Sequence, residues 1–352
     1  MNKIAAYVTI GAVIIIALVF LAVKFLIPPS APVQSTNSNS AIRIGFLLGT
    51  LREERWTKDR DFFLAAAQKQ GAYVQVMSAN SDASLQITQA QNLISQGVNV
   101  LVVVPQDDVS AGTIVEAAHK ANIKVIAYDR MIANSDVDYY VSFDSVKVGH
   151  MQAAGVVAVK NTGNFAYIGG SPTDNNAALL RKGSMEVLNP LIQNGSIKLV
   201  VDANTPDWNP DIAYKNIKQY LAGGGKLDAV VAANDGTAGG VILALKEYNL
   251  DGKVPVSGQD AELADCQAIV LGTQTMTAYK PISALAGKAA DIAVALAKGS
   301  TPPTTGVMNN GKVDVPSYLL DPILVTKQTM DATVIKDGFQ TKAQVYQGTS
   351  TK

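Results

Sequence analysis

Residues 42–63 read IRIGFLLGTLREERWTKDRDFF. Ile42–Leu48 is a run of mostly apolar residues, the pattern of a strand covered on both faces. A helical spacing of apolar positions begins beyond Trp56. Between them stand Arg52, Glu53, Glu54 and Arg55, four charges delivering an indole to the end of a buried strand. A solvated turn has no use for Trp56, and a core helix has none for the arginines. In open parallel sheets, ligands bind beyond the carboxyl ends of the strands. The stretch therefore predicts both a fold class and a place to look for a site.

The same alternation continues along the chain. Candidate strands are Ile42–Leu48, Tyr73–Met77, Val100–Val104, Lys124–Tyr128, Tyr139–Phe143, Phe165–Ile168, Lys198–Val201, Ala229–Ala232 and Val254–Ser257. Amphipathic stretches such as LQITQAQNLISQG and GTIVEAAHKAN separate most of them. Strand, helix, strand at this spacing predicts parallel sheets with helices on both faces. So many strands exceed one doubly wound sheet, so the expected α/β fold has two doubly wound parallel-sheet lobes, with the break near Val141–Lys147.

Composition excludes several functions. Lys+Arg and Asp+Glu number 29 each, so the formal net charge is zero and no basic excess is present to meet a nucleic acid. Two histidines, His119 and His150, and the single Cys266 are too few for a zinc site or a disulfide framework, and no cofactor is expected. GGGKL at 223–227 lacks the spacing of a phosphate-binding loop, and no nucleophile elbow precedes a helix. No nucleophile–base pair marks an enzyme.

Ile4–Val23, between Lys3 and Lys24, is a run of twenty uncharged residues. As a helix it spans roughly 30 Å, the thickness of the bilayer hydrocarbon. Secretory signal cores are usually shorter, roughly 7–15 residues. An uncleaved N-terminal transmembrane signal anchor over 1–27 is favoured over a cleaved signal. Both place the remaining chain outside the cytoplasmic membrane. PPSAPVQSTNSNS, residues 28–40, is a flexible linker.

Polar and aromatic groups recur where the strands end. Arg55 and Trp56 follow the first strand, and Asp129 and Arg130 follow Lys124–Tyr128. Asn176 and Arg181 lie in GGSPTDNNAALLR, and Trp208 in DANTPDW. Asn234 and Asp235 follow Ala229–Ala232, Gln259 and Asp260 follow Val254–Ser257, and Lys280 lies in TQTMTAYKP. Each has a plainer reading when taken alone: Trp208 as a loop anchor, Asn234 as a helix cap, Asp235 as a cap or a support behind the site. Their recurrence at one edge is less easily accidental. The set suits a neutral polyhydroxylated ligand. A sugar hydroxyl donates and accepts, whereas Arg and Lys only donate, a carboxylate only accepts, and Asn does both. Trp56 and Trp208 offer planes for the C–H face of a pyranose.

The stretches LREERWTKDRDFF, VIAYDRMI, GGSPTDNNAALLR, AANDGTAGG, SGQDAEL and TQTMTAYKPI together resemble the D-xylose-binding proteins of bacterial sugar uptake, within the type I periplasmic-binding-protein superfamily. The resemblance covers about residues 41–345. It implies two lobes joined by a three-segment hinge that close on the sugar. It also implies ligand contacts at Arg55, Trp56, Asp129, Arg130, Asn176, Arg181, Trp208, Asn234, Asp260 and Lys280, all present in this sequence. The expected division is 41–144 with 279–305 as the N-terminal lobe and 145–278 with 306–345 as the C-terminal lobe. The front of the chain departs from the pattern, since typical members carry a cleaved signal or a lipidated cysteine. The apolar run therefore favours a membrane-anchored D-xylose receptor that senses sugar beside a histidine kinase. The alternative is a component that hands xylose to an ABC permease; a pentose-acting enzyme comes third.

Overall fold

The structure is a computed structural model that describes residues 41–348. The expected anchor and linker, residues 1–40, lie outside the described residues. Among the described residues no helix is long and apolar enough to cross a membrane.

The first sheet has seven strands in the order β10-β11-β5-β4-β3-β1-β2. They are β1 (Arg43–Leu48), β2 (Tyr73–Ser78), β3 (Val100–Val103), β4 (Lys124–Tyr128), β5 (Tyr139–Phe143), β10 (Gly306–Asn309) and β11 (Asp314–Leu320). Side chains alternate across a strand, and the apolar runs feed two cores at once. Ile44, Phe46, Leu48, Val100 and Val102 enter one core, under helices α1 (Glu54–Lys69) and α9 (Ile282–Ala297). Leu47, Leu101 and Val103 enter the other, under α2 (Ala83–Ser95) and α3 (Gly112–Lys120).

The second sheet is built on β7 (Ile197–Asn204), β6 (Gly163–Gly169) and β8 (Ala229–Ala232), in that order. It divides its faces in the same way: Ala166, Ile168, Val230 and Ala232 turn to one core, Phe165, Tyr167, Ala229 and Val231 to the other. Helices α4 (Ser145–Val157) and α5 (Asn175–Gln193) pack on one side, α6 (Pro210–Ala222) and α7 (Asp235–Glu247) on the other. Beyond β8 follow single bridges, Val230 to Val256 and Gln259 to Ala278, and then the antiparallel pair β9 (Thr277–Tyr279) and β12 (Ile323–Val325). The chain passes between the lobes at Phe143–Ser145, Tyr279–Ile282 and Leu320–Ile323.

Three expectations need correction. The sheets are mixed rather than wholly parallel, because β10 runs antiparallel to β11 and β12 to β9. Residues 306–320, expected in the second lobe, belong to the first sheet, where Ser317–Leu320 pair in parallel with Tyr140–Phe143. Pro316 disguised that strand, since proline removes a ladder donor and reads as a break. Val254–Ser257 makes one bridge instead of a strand; Pro255 again lies at its centre.

Candidate functional site

The two sheets present their carboxyl ends to one cleft. Most of the parallel strands stop, turn and start a helix, with polar residues in the turn or the first helical turn; β4 instead runs through Asp129 and Arg130 toward β5. Five cavity-lining residues come from each lobe: Glu53, Arg55, Trp56, Asp129 and Arg130 from the first, Asp174, Asn176, Trp208, Asn234 and Asp260 from the second. The atom-free space between them is ≈ 300 Å³, open solvent included, the small end of ligand sites.

Arg55 stands at the centre and is 3 % exposed. Its guanidinium meets Asp59 at 3.1 Å, Asp129 at 2.7 Å and Asp260 at 3.2 Å. Lys280, on the hinge, adds an ammonium 2.9 Å from Asp260 and 3.9 Å from Asp129. The Asp129 carboxylate is thus shared by two cations. Burial alone would raise its pKa, but Arg55, Lys280 and Arg130 outweigh burial and hold it below the ordinary carboxylate value. Asp59, behind Arg55, shows the other balance. Burial dominates, assisted by the charge of Asp129, and pushes it up to about 6 against the pull of Arg55.

Arg130 crosses the cleft to Asp174 at 2.9 Å. Burial raises the Asp174 pKa even so, because desolvation outweighs that pairing. Asp174 also accepts the Trp208 indole N–H at 3.1 Å and caps α5 through the Asn176 N–H at 2.9 Å. Trp56 donates its indole N–H to Glu53 at 3.0 Å and lies under two guanidiniums, Arg55 at 4.3 Å and Arg130 at 5.3 Å from the ring centre. The Asn176 amide donates to the Asp129 carbonyl at 2.9 Å and accepts from Ser145 at 3.1 Å. Asn234 lines the cavity and also caps α7, accepting from the Thr237 N–H at 3.0 Å. Asn234 thus caps the helix and faces the cavity at once. Asp235 is a support behind the site: it accepts from Gln274, Thr277 and the Glu262 N–H.

Eight of the ten residues named from sequence line the cavity, and Lys280 braces it from behind. Arg181 does not join them. It makes a two-pronged bond to Asp202 at 2.6 and 2.7 Å and lies 5.1 Å from the Tyr167 ring, half-exposed on the outer side of α5. Five residues after Asn176, it is rotated about 140° round the helix, so the two cannot face the same cleft. Two lining residues were missed. Glu53 lay within the charged run itself. Asp174 ends SPTD, where an Asp just before a helix is the usual cap signal.

Three residues that serve this site adopt positive φ: Asp129 at 60°, Trp208 at 55° and Asp260 at 98°, with Asp207 and Ala261 at 54° beside them. Such conformations cost of order 1–3 kcal/mol for non-glycine residues and persist only where the surroundings enforce them. The arrangement supplies donors, acceptors and two indoles on opposed lobes. Among the described residues no group of His, Cys, Asp and Glu is placed to hold a metal ion.

A family profile described as a periplasmic binding protein domain matches residues 44–301. The chain is 50% identical over 314 residues to a D-xylose-binding periplasmic protein of Haemophilus influenzae, covering 89% of this chain and 95% of that one. It is 48% identical over 305 residues to the protein of the same description in Escherichia coli, covering 86% and 92%. Among solved structures, an ABC transporter solute-binding protein from Clostridium phytofermentans with bound β-D-glucose superposes with a TM-score of 0.81, at 31% identity, over 86% of this chain and 99% of that one.

Proposed function

Because the chain belongs to the periplasmic-binding-protein domain family, we propose that it is an extracytoplasmic D-xylose-binding protein that delivers the sugar to an ABC transporter permease. The observation that carries this reading is the cleft itself. Five residues from each lobe meet around a cavity that mixes cations, carboxylates and amides with two indoles. Each carboxylate–cation pair can accept and donate to one hydroxyl with charge-assisted bonds. An unmixed cationic site would suit an anion better. The relatives described as D-xylose-binding narrow the choice of sugar, and the solved ABC-transporter relative supports transport.

Titration calorimetry with D-xylose, D-ribose, L-arabinose and D-glucose tests the assignment. One xylose per chain is expected, with xylose the tightest ligand; ribose binding more tightly than xylose would sink it. Asp129→Ala in the same assay leaves Arg55 and Lys280 without their shared carboxylate. A buried group left unpaired costs about 1–3 kcal/mol, so xylose affinity should fall about ten- to a hundredfold.

The comparisons favour the transport role over the sensing role expected from sequence. One observation keeps sensing as a second reading: the twenty uncharged residues of Ile4–Val23. A receptor tethered beside a membrane partner gains effective concentration. Deleting the gene separates the roles. Loss of xylose uptake with normal xylose-induced transcription fits transport; failed induction while xylose still enters by another route fits sensing.

A further inference from the structure

The charged run at 52–55 is only partly used by the cavity. Glu53 and Arg55 line it, whereas Arg52 and Glu54 do not. Both nevertheless reach across to the second lobe. The Arg52 guanidinium donates to the Asp207 carbonyl, and beside it the Gln106 amide donates to the Asp207 carboxylate at 3.3 Å. Glu54 accepts the Leu263 N–H at 2.9 Å and the Gln340 amide at 2.9 Å. Gln340 in turn donates to the Ala261 carbonyl at 3.1 Å. Lys58 ties the cluster together, 2.7 Å from Glu54 and donating to the Phe339 carbonyl at 2.7 Å.

Both sets of contacts lead to left-handed turns of the second lobe, Arg52 to Asp207 directly and Glu54 to Leu263 just beyond Ala261 and, through Gln340, to the Ala261 carbonyl. Asp207 and Trp208 have φ of 54° and 55°, and Asp260 and Ala261 have φ of 98° and 54°. One turn carries the cavity's second indole, the other the carboxylate that meets Arg55 and Lys280. Neither turn has a glycine to make its conformation cheap. Helix α8 (Leu263–Leu271), directly after the second turn, has no cap from its own N-cap residue Glu262. Glu54 supplies an acceptor for that helix start from the opposite lobe, and an anionic group there also meets the positive end of the helix dipole.

We propose that Arg52 and Glu54 are positioning residues for sugar binding, which fix the strained turns carrying Trp208 and Asp260 only when the two lobes meet. The proposal rests on the sugar-binding reading. Arg52 and Glu54 do not line the cavity. Within their own lobe Arg52 meets Glu53 at 2.5 Å and Glu54 meets Lys58 at 2.7 Å; across the cleft they act on the turns that carry Trp208 and Asp260, and those cross-cleft bonds belong to the closed form. Losing them should therefore speed sugar release and leave sugar capture nearly untouched. Arg52 and Glu54 are partly exposed, with side-chain exposures of 43% and 34%, so truncation is compatible with folding.

The test is stopped-flow and calorimetric binding by the full chain, using D-xylose, D-ribose, L-arabinose and D-glucose. Arg52→Ala and Glu54→Ala are expected each to raise koff about three- to tenfold, with kon changed less than twofold and the sugar-free melting temperature unchanged. Arg52→Lys still donates to a carbonyl and Glu54→Gln still accepts from an N–H, so each should recover most of the loss. Unchanged koff in both alanine variants, for whichever sugar the parent binds, overturns the clasp. So does a loss that the conservative variants share in full, or an equal fall in sugar-free melting temperature, which would mark a merely structural role. A parent that binds none of the four sugars defeats the sugar-binding reading. In that case an unchanged radius of gyration in both alanine variants also overturns the clasp, and an expansion supports it.

Discussion

At Asp129 burial and charge pull in opposite directions, and the cations win. At Glu262 they do not. Burial, reinforced by Asp260 and Glu54, pushes that carboxyl from 4.5 up to about 8, and its Oε1 is buried without a hydrogen-bond partner. The sign of the consequence follows by linkage. Below about 4.5 Glu262 is protonated in both folded and unfolded chains and carries no penalty. Between 4.5 and about 8 the unfolded chain releases the proton that the folded chain keeps, so stability is lost as pH rises. Above about 8 the full penalty remains. Glu262→Gln should therefore melt with the parent at pH 4.5 and increasingly above it toward pH 8. A constant offset across that range would count against this account.

Several site residues owe their place to a strand-turn-helix element. Asp174 and Asn234 cap the helices that follow β6 and β8 while their side chains line the cleft. The elements must also pack closely enough to keep those turns in register, and α4 against α5 is the tightest case. Gly149 lies against the Leu180 carbonyl and Gly183 against the Val146 carbonyl, so a Cβ at either would collide with main chain. Overpacking of this kind costs about 1–3 kcal/mol. Gly183→Ala should lower the denaturation midpoint accordingly; an unchanged midpoint would mean that the helices slide apart freely. The sequence offers no signal for this, because a helical glycine is locally only a poor helix former.

At the scale of the molecule, the three crossings at Phe143–Ser145, Tyr279–Ile282 and Leu320–Ile323 are the covalent links between the lobes. The cleft adds Arg55 to Asp260, Arg130 to Asp174, and Glu54 to Leu263. Contacts of this kind favour the closed arrangement, and a ligand shifts such an equilibrium only through its differential affinity for the two forms. A sugar held from both lobes has that difference. Small-angle scattering should show a smaller radius of gyration with saturating D-xylose than without it. An unchanged radius would mean that the lobes do not clamp.

The sequence by itself determined the alternation of strands and helices. Continuous apolar runs, read against the short reach of a strand, leave little choice but sheets covered on both faces. It also located the cleft and most of its lining, because strand ends are local features and a polar cluster there is visible without coordinates. Tertiary structure alone decided which lobe owns residues 306–320, since strand partners are chosen by long-range hydrogen bonding and Pro316 hid the local signal. It separated Arg181 from Asn176, because helical phase places two neighbours in sequence on different faces. It brought Asp174 and Glu53 to the cavity wall. It also divided three tasks among the four charges around Trp56. Arg55 joins three carboxylates, Glu53 holds the indole, and Arg52 and Glu54 reach the opposite lobe. A sequence records that charges are adjacent; only the closed cleft, which brings residues some two hundred positions apart to hydrogen-bonding distance, assigns each one its partner.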